Sequence, residues 1–152
     1  MSEFRRIERL PTDALVPLLA ASIDEGFHFV ERLLSEWQAG TACFNRTGEL
    51  LLAAYEGTNI IAIGGLTADP YSVEPGLGRL RHIYVRPDAR RRGTGRQLVQ
   101  LLEQAAQRTY RALVLRTDTP AAARFYEALG YTPLPPGGTA THRRELVVAR
   151  LS

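Results

Sequence analysis

The sequence predicts an α/β domain built on a mixed sheet, and three observations carry that prediction. Two adjoining apolar runs, ELLLAAY and IIAIGGL, are separated by EGTN, a turn sequence that folds them into an antiparallel hairpin. From Arg79 onward, short β-rich runs alternate with two stretches whose apolar residues recur at helical spacing. The chain is 152 residues long, 45% hydrophobic and 23% charged, which suits one globular domain over residues 1–152.

In chain order, residues 3–9 are expected to form a first strand. Thr12 is placed to cap a helix reaching about Ile23, with Pro17 delaying or kinking it because proline removes one helical hydrogen bond. Between His28 and Ala39, Val30, Leu33, Leu34 and Trp37 share one helical face, and Gly40 follows as a stop. The hairpin comes next. Residues 67–78 hold two prolines and two glycines and are expected to be a loop.

RLRHIYV reads as a strand ended by Pro87. Leu98, Leu101, Leu102, Ala105 and Ala106 then mark an amphipathic helix. RALVLRT is a further strand. Thr119 and Pro120 read as N-cap and first residue of a helix that Gly130 terminates. YTPL and RELVVARL are the closing strands, separated by PPGGTA.

Several function classes recede on composition. All 19 basic residues are arginine, set against 16 acidic ones, so the net charge is only +3 and nucleic acid is not an expected partner. The single cysteine, Cys43, precludes an internal disulfide framework, suits a reducing compartment and reads as a core thiol. The opening MSEFRRIERLP has no apolar segment of secretory type, and the longest apolar runs are too short to span a membrane. A cytoplasmic protein with no membrane partner is expected.

The segment Asp88–Leu98, DARRRGTGRQL, follows a strand and opens a helix. The first amides of a helix have no internal partner, and the helix dipole places its positive end there. Gly93 and Gly95 let the backbone approach an anion, and no proline removes a donor between Asp88 and Arg111. The pattern therefore points to a phosphate cradle. A P-loop would need a lysine followed by Ser or Thr, and a dinucleotide fingerprint would need a third glycine; both are missing.

VRPDARRRGTGRQL resembles motif A of the GNAT superfamily of acetyl-CoA-dependent N-acetyltransferases, with Arg90, Gly93 and Gly95 on its Q/R-x-x-G-x-G/A core. AARFYEALGY is similar to the family's second signature, with Phe125, Tyr126, Gly130 and Tyr131 in register. The resemblance implies a fold of α+β type: a mixed, largely antiparallel central sheet of six to seven strands with about four helices. It also implies acetyl-CoA as cosubstrate, no metal, and direct acetyl transfer to a primary amine.

Carried over residue by residue, the resemblance assigns the pyrophosphate to the loop of Arg90, Arg91, Arg92, Gly93, Thr94, Gly95 and Arg96. It assigns the pantetheine arm to the backbone of Ile83, Tyr84 and Val85. Tyr126 takes the place of the general acid, since a phenol of ordinary pKa about 10 keeps its proton at neutral pH. Where many relatives carry a glutamate, this chain has Arg79, and Thr119 replaces a frequent asparagine. His82 is then a candidate base, with Tyr84, Glu25, Glu74 and Asp69 as others. Phe27, His28, Phe29, Trp37 and Tyr71 are candidates to line the acceptor site. The expected partners are a small-molecule or peptide amine and a second copy of the chain in a homodimer. The competing expectation is a CoA-binding sensor or interaction module that keeps the fold without turnover.

Overall fold

The structure, a computed structural model, describes residues 2–146. Its elements are β1 (Glu3–Arg6), α1 (Thr12–Asp24), α2 (Phe29–Gln38), β2 (Leu50–Glu56), β3 (Asn59–Ala68) and β4 (Leu77–Val85). A 3-10 turn (Pro87–Ala89) leads to α3 (Thr94–Ala106), β5 (Ala112–Leu115), α4 (Pro120–Ala128), β6 (Thr132–Pro133) and β7 (His142–Glu145). The strands form one seven-stranded sheet in the order β1-β2-β3-β4-β5-β7-β6, antiparallel throughout except where β4 and β5 pair in parallel. The expected mixed, largely antiparallel sheet with four helices is the fold observed.

Two helical layers sandwich the sheet. On one face α3 lays Leu98, Val99, Leu102 and Ala106 against β2, β3 and β4, beside Tyr126 of α4. On the other, Leu15 and Leu18 of α1 and Val30 and Leu33 of α2 pack with Leu51, Ile60 and Ile63. Each such fully buried aliphatic side chain contributes about 1.5–3 kcal/mol relative to exposure.

Some expected boundaries shift, for physical reasons. β1 ends at Arg6 rather than residue 9, although the Ile7 amide still donates to Leu51 O at 2.8 Å. Thr12 is the first helical residue and its side chain caps nothing; Pro11 takes the cap position and its carbonyl accepts from the Leu15 amide at 3.0 Å. α1 runs through Pro17, which lies on the exposed side, where the Asp13 carbonyl it leaves unpaired is open to water. The expected loop over 67–78 shrinks to 69–76, because Thr67 and Ala68 pair with Arg79 and Gly78 and prolong the β3–β4 ladder. Both prolines stay inside the shortened loop. The closing strand begins at His142, and its expected continuation beyond Leu146 lies outside the described residues.

The β3–β4 ladder carries the irregularity that shapes the site. Gly65 pairs with Arg81 and Ile63 with Tyr84, so His82 and Ile83 together oppose Gly64. This is a β-bulge, and His82 holds its left-handed conformation at φ 57. Gly64 and Gly65 make it sterically feasible: a Cβ on Gly64 would lie 2.6 Å from Ile83 Cδ1, and one on Gly65 2.6 Å from Phe44 Cε1. Pairing of β4 with β5 stops at Arg79 and Val114, so β4 continues to Val85 with no strand along that edge among the described residues.

Candidate functional site

The open edge of β4 has a defined donor pattern. Arg86 N–H donates to Ile61 O at 2.8 Å, so Arg86 and, two residues back, Tyr84 turn their backbone groups toward β3. Ile83 and Val85 therefore turn theirs toward the gap left by β5. Of the three residues expected to pair with an extended ligand, Tyr84 has its main chain committed to the sheet.

At the end of β4 the 3-10 turn delivers the chain into the arginine loop. Arg91 and Gly93 both adopt positive φ, 66° and 80°, folding the backbone into a concave turn before α3. Among the described residues, none of the six consecutive amides from Arg91 to Arg96 donates to the protein; the first α3 amide with a partner is Gln97, bonded to Gly93 O at 3.0 Å. Gly95 sits where a Cβ would meet Val85 Cγ2 at 3.3 Å and Phe125 Cζ at 3.4 Å. Strand end, helix start and α4 thus converge on one residue. Phe125, which sequence reading used only as a motif match, is one wall of this junction.

The four loop arginines divide into two kinds. Arg90 and Arg92 are pinned back: Arg90 pairs with Glu25, and Arg92 with Glu56 at 2.6 Å and with Asp88 O at 2.7 Å. Arg91 and Arg96 have no side-chain partner among the described residues. Both are exposed.

Tyr126 stands on α4, whose start is set as the sequence predicts: Thr119 Oγ1 accepts from the Ala122 amide at 3.2 Å, with Pro120 first in the helix. Its ring is gripped edge-on by Phe125 and Tyr131, at 5.0 and 5.6 Å between centroids. Tyr131 is itself fixed by Glu103, which also receives Arg144. The Tyr126 hydroxyl has no partner among the described residues, and burial pushes its pKa above the usual phenol value. It is a protonated donor with no protein partner among the described residues.

His82 lies on the α2 face of the bulge. Its Nδ1 lies 2.9 Å from Phe29 O and donates to it, which leaves Nε2 as an acceptor, buried and without a partner among the described residues. Burial, reinforced by the Arg81 charge, lowers its pKa to about 4, so the imidazole is neutral at pH 7. Nearby Glu36 also keeps one buried oxygen without a hydrogen bond, 3.7 Å from Arg81.

That pKa shift has a consequence for stability. Unfolding frees His82 to take up a proton below its ordinary pKa of 6.5, while the folded form resists protonation down to about 4. Stability should fall by on the order of 3 kcal/mol between those two pH values, the full contribution being present above pH 6.5. His82→Asn retains a donor for Phe29 O and a residue type that tolerates positive φ, but does not titrate. Urea unfolding across this window should show the wild type losing that increment and His82→Asn lacking it; equal slopes would refute the assignment.

The other candidate bases are engaged. Glu25 is held below the usual carboxylate range by Arg90, and Tyr84 is raised by burial and by its hydrogen bond to Glu25. Asp69 is buried against Arg79, whose Nη2 also donates to Thr139 O at 2.8 Å, so the arginine in the glutamate position is a structural ion pair. Glu74 is lowered by Arg143. Asp69, Glu74 and Arg143 line a concavity of about 300 Å3 beside Leu77 and Val114, at the opposite end of β4 from the loop.

The candidate acceptor aromatics also separate. Phe27 and Phe29 flank Tyr84, at 6.2 and 5.8 Å, while Trp37 stacks on Phe44 in the core. His28 is exposed beside Glu31, and Tyr71 lies over Arg79 at the far end. Cys43 is partly buried, 3.8 Å from Trp37 O. Among the described residues no group of His, Cys, Asp and Glu is placed to hold a metal, and no helix is long and apolar enough to cross a membrane.

Comparison with known proteins bears on the same region. A family model described as an acetyltransferase (GNAT) domain matches residues 47–133, which contain the bulge, the arginine loop and α4. A solved structure from Exiguobacterium sp. 255-15 is 34% identical, with a TM-score of 0.84 over 95% of this chain and 93% of that one. Another, from Desulfovibrio desulfuricans, is 24% identical, with a TM-score of 0.76 over 97% of this chain and 100% of that one. Both are described as putative acetyltransferases. The PaiA N-acetyltransferase of Thermoplasma acidophilum, solved in complex with coenzyme A, shares the fold at 14% identity, with a TM-score of 0.70 over 95% of this chain and 99% of that one. No curated protein matches.

Proposed function

Because the chain belongs to the GNAT family of acetyltransferases, we propose that it moves an acetyl group from acetyl-CoA directly to a primary amine. One observation carries this reading: six amides without a partner among the described residues, Arg91 to Arg96, open beside the edge of β4 that no described strand pairs. Consecutive N–H groups at a helix start suit a pyrophosphate, and the Ile83 main chain with the Val85 amide suits an extended amide-bearing arm. The coenzyme A complex of PaiA, a protein of the same fold, supports that ligand choice.

In this reading the amine nitrogen attacks the thioester carbonyl, the C–N bond forms, and the C–S bond breaks. Tyr126 donates its hydroxyl to the sulfur as negative charge develops. Its raised pKa keeps the hydroxyl protonated until the departing thiolate takes the proton. The amine must lose a proton, and His82 Nε2 is the unused acceptor on the α2 face. Because that nitrogen is buried and its pKa is lowered to about 4, water rather than His82 takes the proton in this reading. The products are an N-acetyl amine and free CoA thiol, and the proton lost by the amine to water restores the Tyr126 phenol. Glu25, Glu74, Asp69 and Tyr84 play no basic part, being held in their own pairs.

The rival reading, a CoA-binding module without turnover, draws on Arg79, which occupies the place of a carboxylate and is locked to Asp69. Incubation with acetyl-CoA and a panel of primary amines separates the two. An acetyltransferase releases thiol and N-acetyl product in equal amounts with at least one amine; acetyl-CoA binding with no thiol above background for any amine would favour the module.

A further inference from the structure

We propose that Arg90 and Glu25 are positioning residues that couple the phosphate loop to the α1–α2 turn, so that the two sides of the site are ordered together. The inference rests on the acetyl-CoA reading above. Arg90 belongs to the motif by sequence, yet its side chain turns away from the amide cradle. Its guanidinium makes a bidentate pair with Glu25, Nη1 to Oε2 at 2.8 Å and Nη2 to Oε1 at 2.6 Å. Its Nε donates to Val85 O at 3.0 Å, the carbonyl that faces the open edge of β4.

Glu25 is the residue that ends α1, and it also receives the Tyr84 hydroxyl. The Arg90 guanidinium lies 5.5 Å from the Tyr84 ring centre, and Phe27 and Phe29 enclose that ring from the same turn. One arginine therefore ties three pieces together: the loop that opens α3, the end of β4, and the wall formed by residues 25–29. By taking Val85 O, it also leaves the Val85 amide and the Ile83 main chain as the free groups of the edge.

Fold stability does not account for this arrangement. The Arg90 and Glu25 side chains are 41% and 29% exposed, and an ion pair that open contributes about 1 kcal/mol or less. Its value lies in orientation. A bidentate fork fixes the Arg90 backbone one residue before the left-handed turn at Arg91, where the cradle begins.

The test is a double-mutant cycle on acetyl-CoA affinity, measured by calorimetry with wild type, Glu25→Ala, Arg90→Ala and the double variant. Glu25→Ala should weaken acetyl-CoA binding about fivefold, although residue 25 lies outside the phosphate loop. Arg90→Ala should do so by a similar factor, and the double variant should be no weaker than Arg90→Ala alone. Glu25→Gln, which retains the shape and removes the charge, should reproduce the loss, and thermal melts should place all four variants close to the wild type. A Glu25→Ala protein that binds like the wild type, or losses that multiply in the double variant, would overturn the coupling alone. A wild type that does not bind acetyl-CoA would instead overturn the functional reading, and the coupling with it.

Discussion

Tyr126→Phe is expected to slow amine acetylation about 100-fold while leaving acetyl-CoA affinity within about twofold. The physical basis is the isolation of one hydroxyl. The ring is fully occupied by packing against Phe125 and Tyr131, so phenylalanine preserves the shape of the α4 face. The hydroxyl itself bonds nothing among the described residues, so its removal breaks no structural contact there. What it removes is a proton donor that burial keeps protonated at every working pH. The loss should therefore fall on kcat rather than on binding or melting temperature. A Tyr126→Phe enzyme turning over at the wild-type rate, with the best amine of the panel, would end the assignment.

The second large effect concerns the cradle. Gly93 sits at φ 80, and a Cβ there would meet nothing within 4 Å. The Cβ of Gly93→Val therefore meets no neighbour, but a β-branched residue resists the left-handed conformation and will pull the loop out of it. The neighbouring amides would then no longer converge. Loss of two charge-assisted hydrogen bonds predicts at least about a 100-fold weaker affinity for acetyl-CoA, ~3 kcal/mol. Gly40→Val is the matched control: Gly40 lies at φ 75, equally open, after α2 and away from the loop. Both variants should lose ~1–2 kcal/mol of stability by denaturant unfolding, and only Gly93→Val should lose affinity. Equal affinities in the two would show that the loop does not hold the ligand.

The sequence made the helical parts of this site legible because their signals are local. Thr119, Pro120 and Gly130 bound α4 within a dozen residues, and the spacing of Leu98, Leu101 and Leu102 marks the buried stripe of α3. The arginine loop was readable for the same reason, since a positive-φ glycine and a helix start lie side by side. The bulge at His82 was not foreseen, although Gly64 and Gly65 inside an apolar strand were a signal for it. A bulge depends on which residues stand opposite, and register is a long-range property.

The fates of the charged residues were hidden for the same cause. Arg90 meets Glu25 across 65 positions, and Arg79 uses Thr139 across 60. No local pattern reveals that one motif arginine faces away from the phosphate cradle, or that Arg79 is a buried structural cation. Tyr84 shows the limit most clearly. Its place beside Ile83 and Val85 is evident in the sequence, but only the ladder phase shows that its main chain belongs to β3.

The most direct test of the account is a calorimetric titration of the wild-type protein with acetyl-CoA. Saturable binding at one site per chain is predicted, with a rise in stability of about 2.7 kcal/mol at 100 times the dissociation constant. No heat of binding and no shift in melting temperature at millimolar acetyl-CoA would contradict it.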